Sequence, residues 1–271
     1  MLKTRIVDRY VNAIQVSRQE PTLVFLKEIC RNHLQTFPFE NLSKLITNKN
    51  ITVPTLGDVE AFLDQYEQYG AGGTCYMQNS ILLNILTSLS FNCRLIQLGG
   101  VHMAIIVNMD EQIYYVDCGA AAPFFKPILL EKQDTQSEPF GSDMITFTYK
   151  GDSEFEYQRY LEEKKSGESW LFNLNHSFTL KDFDVLYRDS FKSDATFMKL
   201  FRCQLYQLNQ CRSVSIVNNT FTIRYMSGEK VTKKLKSIEE LETCLHDEFH
   251  LTSLPVKDSV RFLKENGIAL F

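Results

Sequence analysis

The sequence predicts an α+β fold on three observations. Apolar residues recur at helical spacing to about residue 90, alternation of period two begins at Phe91, and the two patterns occupy separate stretches rather than interleaving. No Pro/Gly-rich linker separates them, so the parts are expected to pack closely. The expected organisation is a helical part over 1–90, a β part with barrel or sandwich character over 91–190, and a mixed α/β part over 191–271.

In the first part, Arg5 to Val16 and Thr22 to Leu34 carry periodic apolar positions, the second through Leu23, Leu26, Ile29, Cys30 and His33-Leu34. Pro21 suits the start of the second helix and Pro38 ends it, inside Pro38-Phe39-Glu40-Asn41-Leu42. Leu56 to Tyr69 is a third helical stretch. A fourth follows the run Tyr69-Gly70-Ala71-Gly72-Gly73-Thr74-Cys75, with Ile81, Leu82, Ile85, Leu86 and Leu89 forming a broad apolar face. In the second part Cys93 to Leu98, Val101 to Asn108 and Ile113 to Cys118 read as strands, the last two as a hairpin around Met109-Asp110-Glu111-Gln112. Ile145 to Lys150, Phe155 to Leu161 and Trp170 to Leu174 read as further short strands. In the third part Phe191 to Gln207 is expected to be partly helical, and Arg212 to Val217 with Thr220 to Met226 flank a turn at Asn218-Asn219. Ser237-Ile238-Glu239-Glu240 is a capping box opening a last helix through Glu248.

The 271-residue chain has a net charge of −4 and no basic block, which argues against nucleic acid as a partner. No run approaches the roughly 18 apolar residues that span a bilayer, so no membrane partner is expected. The first residues lack the apolar run of a signal peptide, and seven cysteines without CxxC pairs read as reduced thiols, which points to the cytoplasm.

Chemistry concentrates at Cys75. The glycine run forces a tight turn, Thr74 offers an oxygen to cap the helix, and Cys75 falls in its first turn. The positive end of the helix dipole and the free N–H groups there favour thiolate over thiol. A buried structural cysteine is the competing reading. The hairpin adds a geometric argument. If Met109 pairs with Gln112, His102 and Asp117 project from one sheet face as diagonal neighbours, whereas a one-residue slip would separate them. A base oriented by a carboxylate beside a helix-terminal thiol is the pattern of acyl transfer. Cys244-x-His246-x3-His250 resembles metal spacing without a fourth ligand, and Lys233-Lys234-Leu235-Lys236 reads as a solvated strand edge.

These residues resemble the arylamine N-acetyltransferases over nearly the whole chain. Pro38-Phe39-Glu40-Asn41-Leu42, Gly72-Gly73-Thr74-Cys75 with Asn79, Val101-His102-Met103 and Tyr115-Val116-Asp117-Cys118-Gly119 match that family's segments, and Asp182-Phe183 and Ser193 to Phe197 match its later ones. The resemblance implies a three-part, cysteine-protease-like fold: a helical bundle carrying Cys75, a β-barrel carrying His102 and Asp117, and an α/β lid. It implies ping-pong transfer of acetyl from acetyl-CoA through Cys75 to an arylamine, hydrazine or hydroxylamine, with CoA as a donor substrate and no tightly bound cofactor. Phe39 and Phe197 are then the expected substrate-binding aromatics, with Phe124 or Phe125 as the replacement for a ring that the family carries just after the aspartate.

The chain departs from the family pattern at Ala71, where the family has Arg, at Met77, where it has Glu, and at Ala120, where it has an aromatic. These departures leave open a weakly active or inactive member. A transglutaminase-like cysteine hydrolase and a related amide synthase are the alternatives outside simple acetyl transfer.

Overall fold

A computed structural model describes residues 2–46 and 55–271. Helix α1 (Thr4–Ala13) turns Ile6, Val7, Tyr10 and Val11 inward at helical spacing. Helix α2 (Leu23–Thr36) starts where the Thr22 hydroxyl accepts from the Phe25 N–H at 3.2 Å. Strand β1 (Phe39–Glu40) and the single turn α3 (Leu42–Leu45) lead to α4 (Val59–Tyr69), which Asp58 caps through the Ala61 N–H at 3.0 Å. Helix α5 (Cys75–Ser88) is buried on nearly every side, from Tyr76 through Leu82 and again at Ile85, Leu86 and Ser88. It is the axis of the molecule rather than a surface helix. Thr74 occupies its N-cap position, but the Thr74 side chain makes no capping hydrogen bond, contrary to the expectation from the sequence.

The middle of the chain folds as two antiparallel four-stranded sheets. The first contains β2 (Asn92–Leu98), β3 (His102–Met109), β4 (Gln112–Val116) and β5 (Ile128–Leu129) in that order. Met109 pairs with Gln112, and Asp110 and Glu111 both adopt positive φ (49° and 62°), the turn geometry that matches strand twist. The second sheet contains β6 (Thr135–Gln136), β7 (Asp143–Gly151), β8 (Glu154–Leu161) and β9 (Lys164–Asn173). Strand β9 begins six residues before the expected Trp170, because its charged first half is exposed and carries no apolar alternation.

After a short helix α6 (Asp184–Asp189), strands β10 (Arg202–Gln207), β11 (Arg212–Val217), β12 (Thr220–Tyr225) and β13 (Lys230–Lys234) form a third sheet that β1 completes at the other edge. The stretch expected to be partly helical, 191–207, holds one 3₁₀ turn (Thr196–Met198) and then strand β10. Cys203 and Leu205 alternate with Arg202, Gln204 and Tyr206, a period-two pattern that long polar side chains obscured. Helix α7 (Ile238–Phe249) starts at Ser237 as expected but is not the last helix, since α8 (Val256–Glu265) follows and buries Val256, Ser259, Val260 and Leu263.

Two apolar clusters result. The larger joins α1, α2, α4 and α5 to the two middle sheets; the smaller joins α3, β10–β12, α7 and α8. The fully exposed lysine-bearing strand β13 closes the third sheet. Among the described residues no helix is long and apolar enough to cross a membrane.

Candidate active site

The Gly72–Gly73 turn exists because the chain passes hard against Pro38. A Cβ at Gly72 would lie 2.1 Å from the Pro38 carbonyl oxygen. The Pro38–Leu42 segment is stitched to its surroundings by its polar side chains. Glu40, fully buried, accepts from the Gly73 N–H at 2.8 Å and from the Ser43 N–H and hydroxyl at 3.0 and 2.6 Å. Gln78 donates to the Pro38 carbonyl at 2.9 Å. Asn41 donates to the carbonyls of Phe197 and Leu200 at 2.6 and 2.7 Å and accepts from the Arg202 N–H at 2.8 Å. One five-residue segment thus fixes the turn before α5 and the chain that carries Phe197.

Cys75, half-buried at the first position of α5, sits where the helix leaves its first-turn N–H groups without intrahelical acceptors. The loop after β4 presses on that helix end: a Cβ at Gly119 would lie 2.8 Å from the Cys75 Cα and carbonyl oxygen. His102 opens β3 and Asp117 follows β4, and the hairpin register puts them within reach. His102 Nε2 and Asp117 Oδ2 are 2.7 Å apart, both side chains buried. Burial alone would push the imidazole pKa down. The Asp117 carboxylate, helped by the neighbouring Cys75 sulfur, outweighs it and holds the pKa up at about 10. With Nε2 engaged by Asp117, Nδ1 is the nitrogen left for the sulfur.

Asp117 receives four donors: His102 Nε2 and the Tyr115 hydroxyl (2.8 Å) on Oδ2, Asn79 Nδ2 (2.8 Å) and the Gly119 N–H (3.1 Å) on Oδ1. Asn79 in turn donates to the Met103 carbonyl at 2.6 Å and accepts from the Cys118 N–H at 3.1 Å, tying α5 to both strands of the hairpin. Tyr115 was not singled out in the sequence, although its place two residues before Asp117 on the same sheet face was a usable signal.

Two further residues had no sequence signal. Trp170 of β9, the sole tryptophan, stacks on the His102 ring with centroids 5.0 Å apart and planes at 19°, and Tyr157 stacks on the same indole at 5.3 Å. Lys44 is buried, donates to the Ser190 hydroxyl at 2.6 Å and lies 4.5 Å from the Phe191 ring centre. Burial lowers its pKa to about 8, and the nearby Cys75 sulfur partly offsets that shift.

The Trp170 stack makes His102 observable. Indole emission is quenched by an adjacent imidazolium, so we expect emission to stay low through neutral pH and to rise as His102 deprotonates toward about pH 10. The same raised pKa means that the His102 proton contributes stability fully below about 6.5 and that this contribution is lost as pH climbs through about 10. His102→Gln should abolish the emission change. A wild-type titration indistinguishable from that variant would show that the ring is not charged at neutral pH.

Of the expected aromatics, Phe39 and Phe197 meet edge-to-face at 5.3 Å. Phe124 does not join them. Its ring is 1% exposed and locked among Tyr115, Phe147 and Tyr157 in the interior of the middle sheets, so it is core rather than a wall. Phe125 packs on Phe140 and Tyr206 instead. Ala71 is buried in the smaller apolar cluster and Met77 beside the Tyr187 hydroxyl, which donates to its sulfur at 3.2 Å. Both positions are apolar, so neither leaves an orphan charge. The Cys244–His250 spacing does not assemble a site: Cys244 faces the smaller cluster, exposed His246 pairs with Asp247, and among the described residues no group of three His, Cys, Asp or Glu side chains could hold a metal.

A family model described as N-acetyltransferase matches residues 22–257. Human arylamine N-acetyltransferase 1 is 24% identical over 277 residues, covering 86% of this chain and 92% of that protein. Among solved structures, the arylamine N-acetyltransferase of Salmonella typhimurium superposes with a TM-score of 0.81 at 17% identity, over 97% of this chain and all of that one. The Mycobacterium marinum enzyme, solved in complex with CoA, gives 0.80 at 18% identity over 97% of this chain and 99% of that one.

Proposed function

Because the chain belongs to the arylamine N-acetyltransferase family and is an acyltransferase, we propose that it moves acetyl from acetyl-CoA to an aromatic amine or hydrazine through Cys75. The observation that carries this reading is the buried His102–Asp117 pair beside Cys75 at the start of α5. In the first half-reaction the Cys75 sulfur forms a bond to the acetyl carbon, the bond to the CoA sulfur breaks, and the departing CoA takes a proton from His102. In the second, the amine nitrogen attacks the acetyl carbon, its proton passes to His102, and Cys75 leaves as the thiolate. Charge developing on the acetyl oxygen faces the first-turn N–H groups of α5. Asp117 keeps the imidazole oriented and Trp170 holds its plane. Phe39 and Phe197 are the aromatic wall for the acceptor; Ala120 offers no ring there.

The parts expected from the sequence fit this chemistry. A helical bundle over 1–90 supplies Cys75, a barrel-like pair of sheets over 91–190 supplies His102 and Asp117, and an α/β lid over 191–271 supplies Phe197. The contacts of β2 with β9 and of β5 with β6 support a barrel-like closure of the middle sheets.

Intact-mass measurement after incubation with acetyl-CoA tests the reading. One acetyl increment, absent in Cys75→Ala and removed by added aniline with formation of acetanilide, is the expected result. Steady release of free acetate without a protein adduct would replace transferase by hydrolase.

A further inference from the structure

The third sheet has two unlike faces. Cys203, Leu205, Val214, Ile216, Phe221 and Ile223 turn to the smaller apolar cluster with α7 and α8. The alternate positions Gln204, Tyr206, Ser213, Ser215 and Thr222 are polar, yet each is at most 8% exposed. A sheet face this polar is ordinarily left to water. Here it is covered.

Two donors on that face have no hydrogen-bond partner among the described residues: the Tyr206 hydroxyl, on a side chain 3% exposed, and Arg224 Nε. They belong to one cross-strand row, since Tyr206 pairs with Ser213 and Ser213 with Arg224. The charges around them do not balance. Arg159 is held by both oxygens of Asp143, at 2.8 and 2.5 Å. Arg202 reaches only the Gln204 amide oxygen, at 2.5 Å, and Arg224 has no ion pair among the described residues. The nearby exposed Glu162 is taken by Lys230 at 2.8 Å. Burial, and then the positive charges of Arg159 and Arg224, bring the Arg202 pKa down to about 10, so these guanidinium groups repel one another. Asp143 neutralises Arg159, which leaves the half-buried Arg202 and Arg224 guanidinium groups without a carboxylate partner among the described residues, an arrangement that an anion would complete.

We propose that Arg202, Arg224 and the Tyr206 hydroxyl form a binding site for an oxyanion group, a phosphate or a carboxylate, on the buried face of the third sheet. Guanidinium forks match two oxygens of such a group, and a phenol donates to a third or shares one. The site communicates with the loop beside Cys75: Gln204 accepts from Arg202 and donates to the Ala121 carbonyl at 2.9 Å. An anion that draws Arg202 away from Gln204 therefore acts on the loop that begins at Gly119. The oxyanion is either free, or part of the acyl donor, or an acid group on the acceptor.

Calorimetric titration of the full chain with inorganic phosphate tests the site independently of any acetyl transfer. Saturable binding of one phosphate is expected, weakened about tenfold or more in Arg224→Met and measurably in Tyr206→Phe, as loss of charge-assisted donors should do. Arg224 is half-buried, so its Met variant should remain folded, and a melting curve verifies that. No saturable phosphate binding, or equal affinity in the wild type and both folded variants, would overturn the site. Parallel titrations assign the source. Arg224-dependent discrimination between CoA and 3′-dephospho-CoA places the donor phosphate there, between 4-aminobenzoate and aniline the acceptor carboxylate, and neither leaves free phosphate as occupant.

Discussion

Asp117→Asn is expected to reduce turnover by about 10³–10⁴-fold while leaving the chain folded. The reason lies in the four donors that converge on this side chain, two on each oxygen. An asparagine must turn an NH2 group toward one pair. Facing His102 and Tyr115, the NH2 meets donors and drives the imidazole into the wrong tautomer. Facing Asn79 and Gly119 instead, it collides with N–H groups that cannot rotate away. Either choice leaves buried donors unpaired, at about 1–3 kcal/mol of stability. Asp117 also supplies the influence that keeps the His102 pKa raised, so its loss should move the Trp170 emission change to lower pH. Steady-state kinetics with a thermal melt on the same sample gives the answer. Near-normal turnover in a folded Asn variant would remove His102 orientation from the mechanism.

Cys75→Ala is expected to abolish acetyl transfer altogether, a loss of roughly 10⁴–10⁶-fold of the kind seen when a nucleophile is removed. Alanine is the best helix former and Cys75 is only half-buried, so the start of α5 should hold. CoA binding should persist, because the variant lacks only the sulfur. Titrating it with CoA and assaying amine acetylation separates the two effects. Residual activity within about tenfold of the wild type would mean that acetyl passes directly from donor to acceptor without a covalent intermediate.

The hairpin was legible because its turn is local: Asp110 and Glu111 adopt the positive φ that Met109–Gln112 pairing needs, and that register places His102 beside Asp117. The turn before Cys75 was legible for the same reason, glycine being the residue that admits Pro38 so closely. The stack of Trp170 on His102 was not, since β9 is brought there by its pairing with β8, which no local pattern of the mostly exposed β9 announces. Phe124, expected among the substrate-binding aromatics, is instead core, because its burial is decided by Phe147 and Tyr157 from the other middle sheet. Strand β10 was hidden because the apolar positions Cys203 and Leu205 are few and the long side chains of Arg202, Gln204 and Tyr206 between them mask the alternation. Lys44 carries no local signal, because the groups that cover it, Ser190 and Phe191, come from about 146 residues further along the chain.

The bonds that Asn41 makes set a timetable for synthesis. Its side-chain partners lie 156, 159 and 161 positions further along the chain. At about 5–20 residues per second, a ribosome needs roughly 8–32 s to produce them after Asn41 has been made. During that interval the nascent chain can already hold Glu40 against Ser43 and Gly73, whose partners are at most 33 positions away. Asn41 must wait in water. The contact between Phe39 and Phe197 is accordingly made only after translation has passed the hairpin that carries His102 and Asp117.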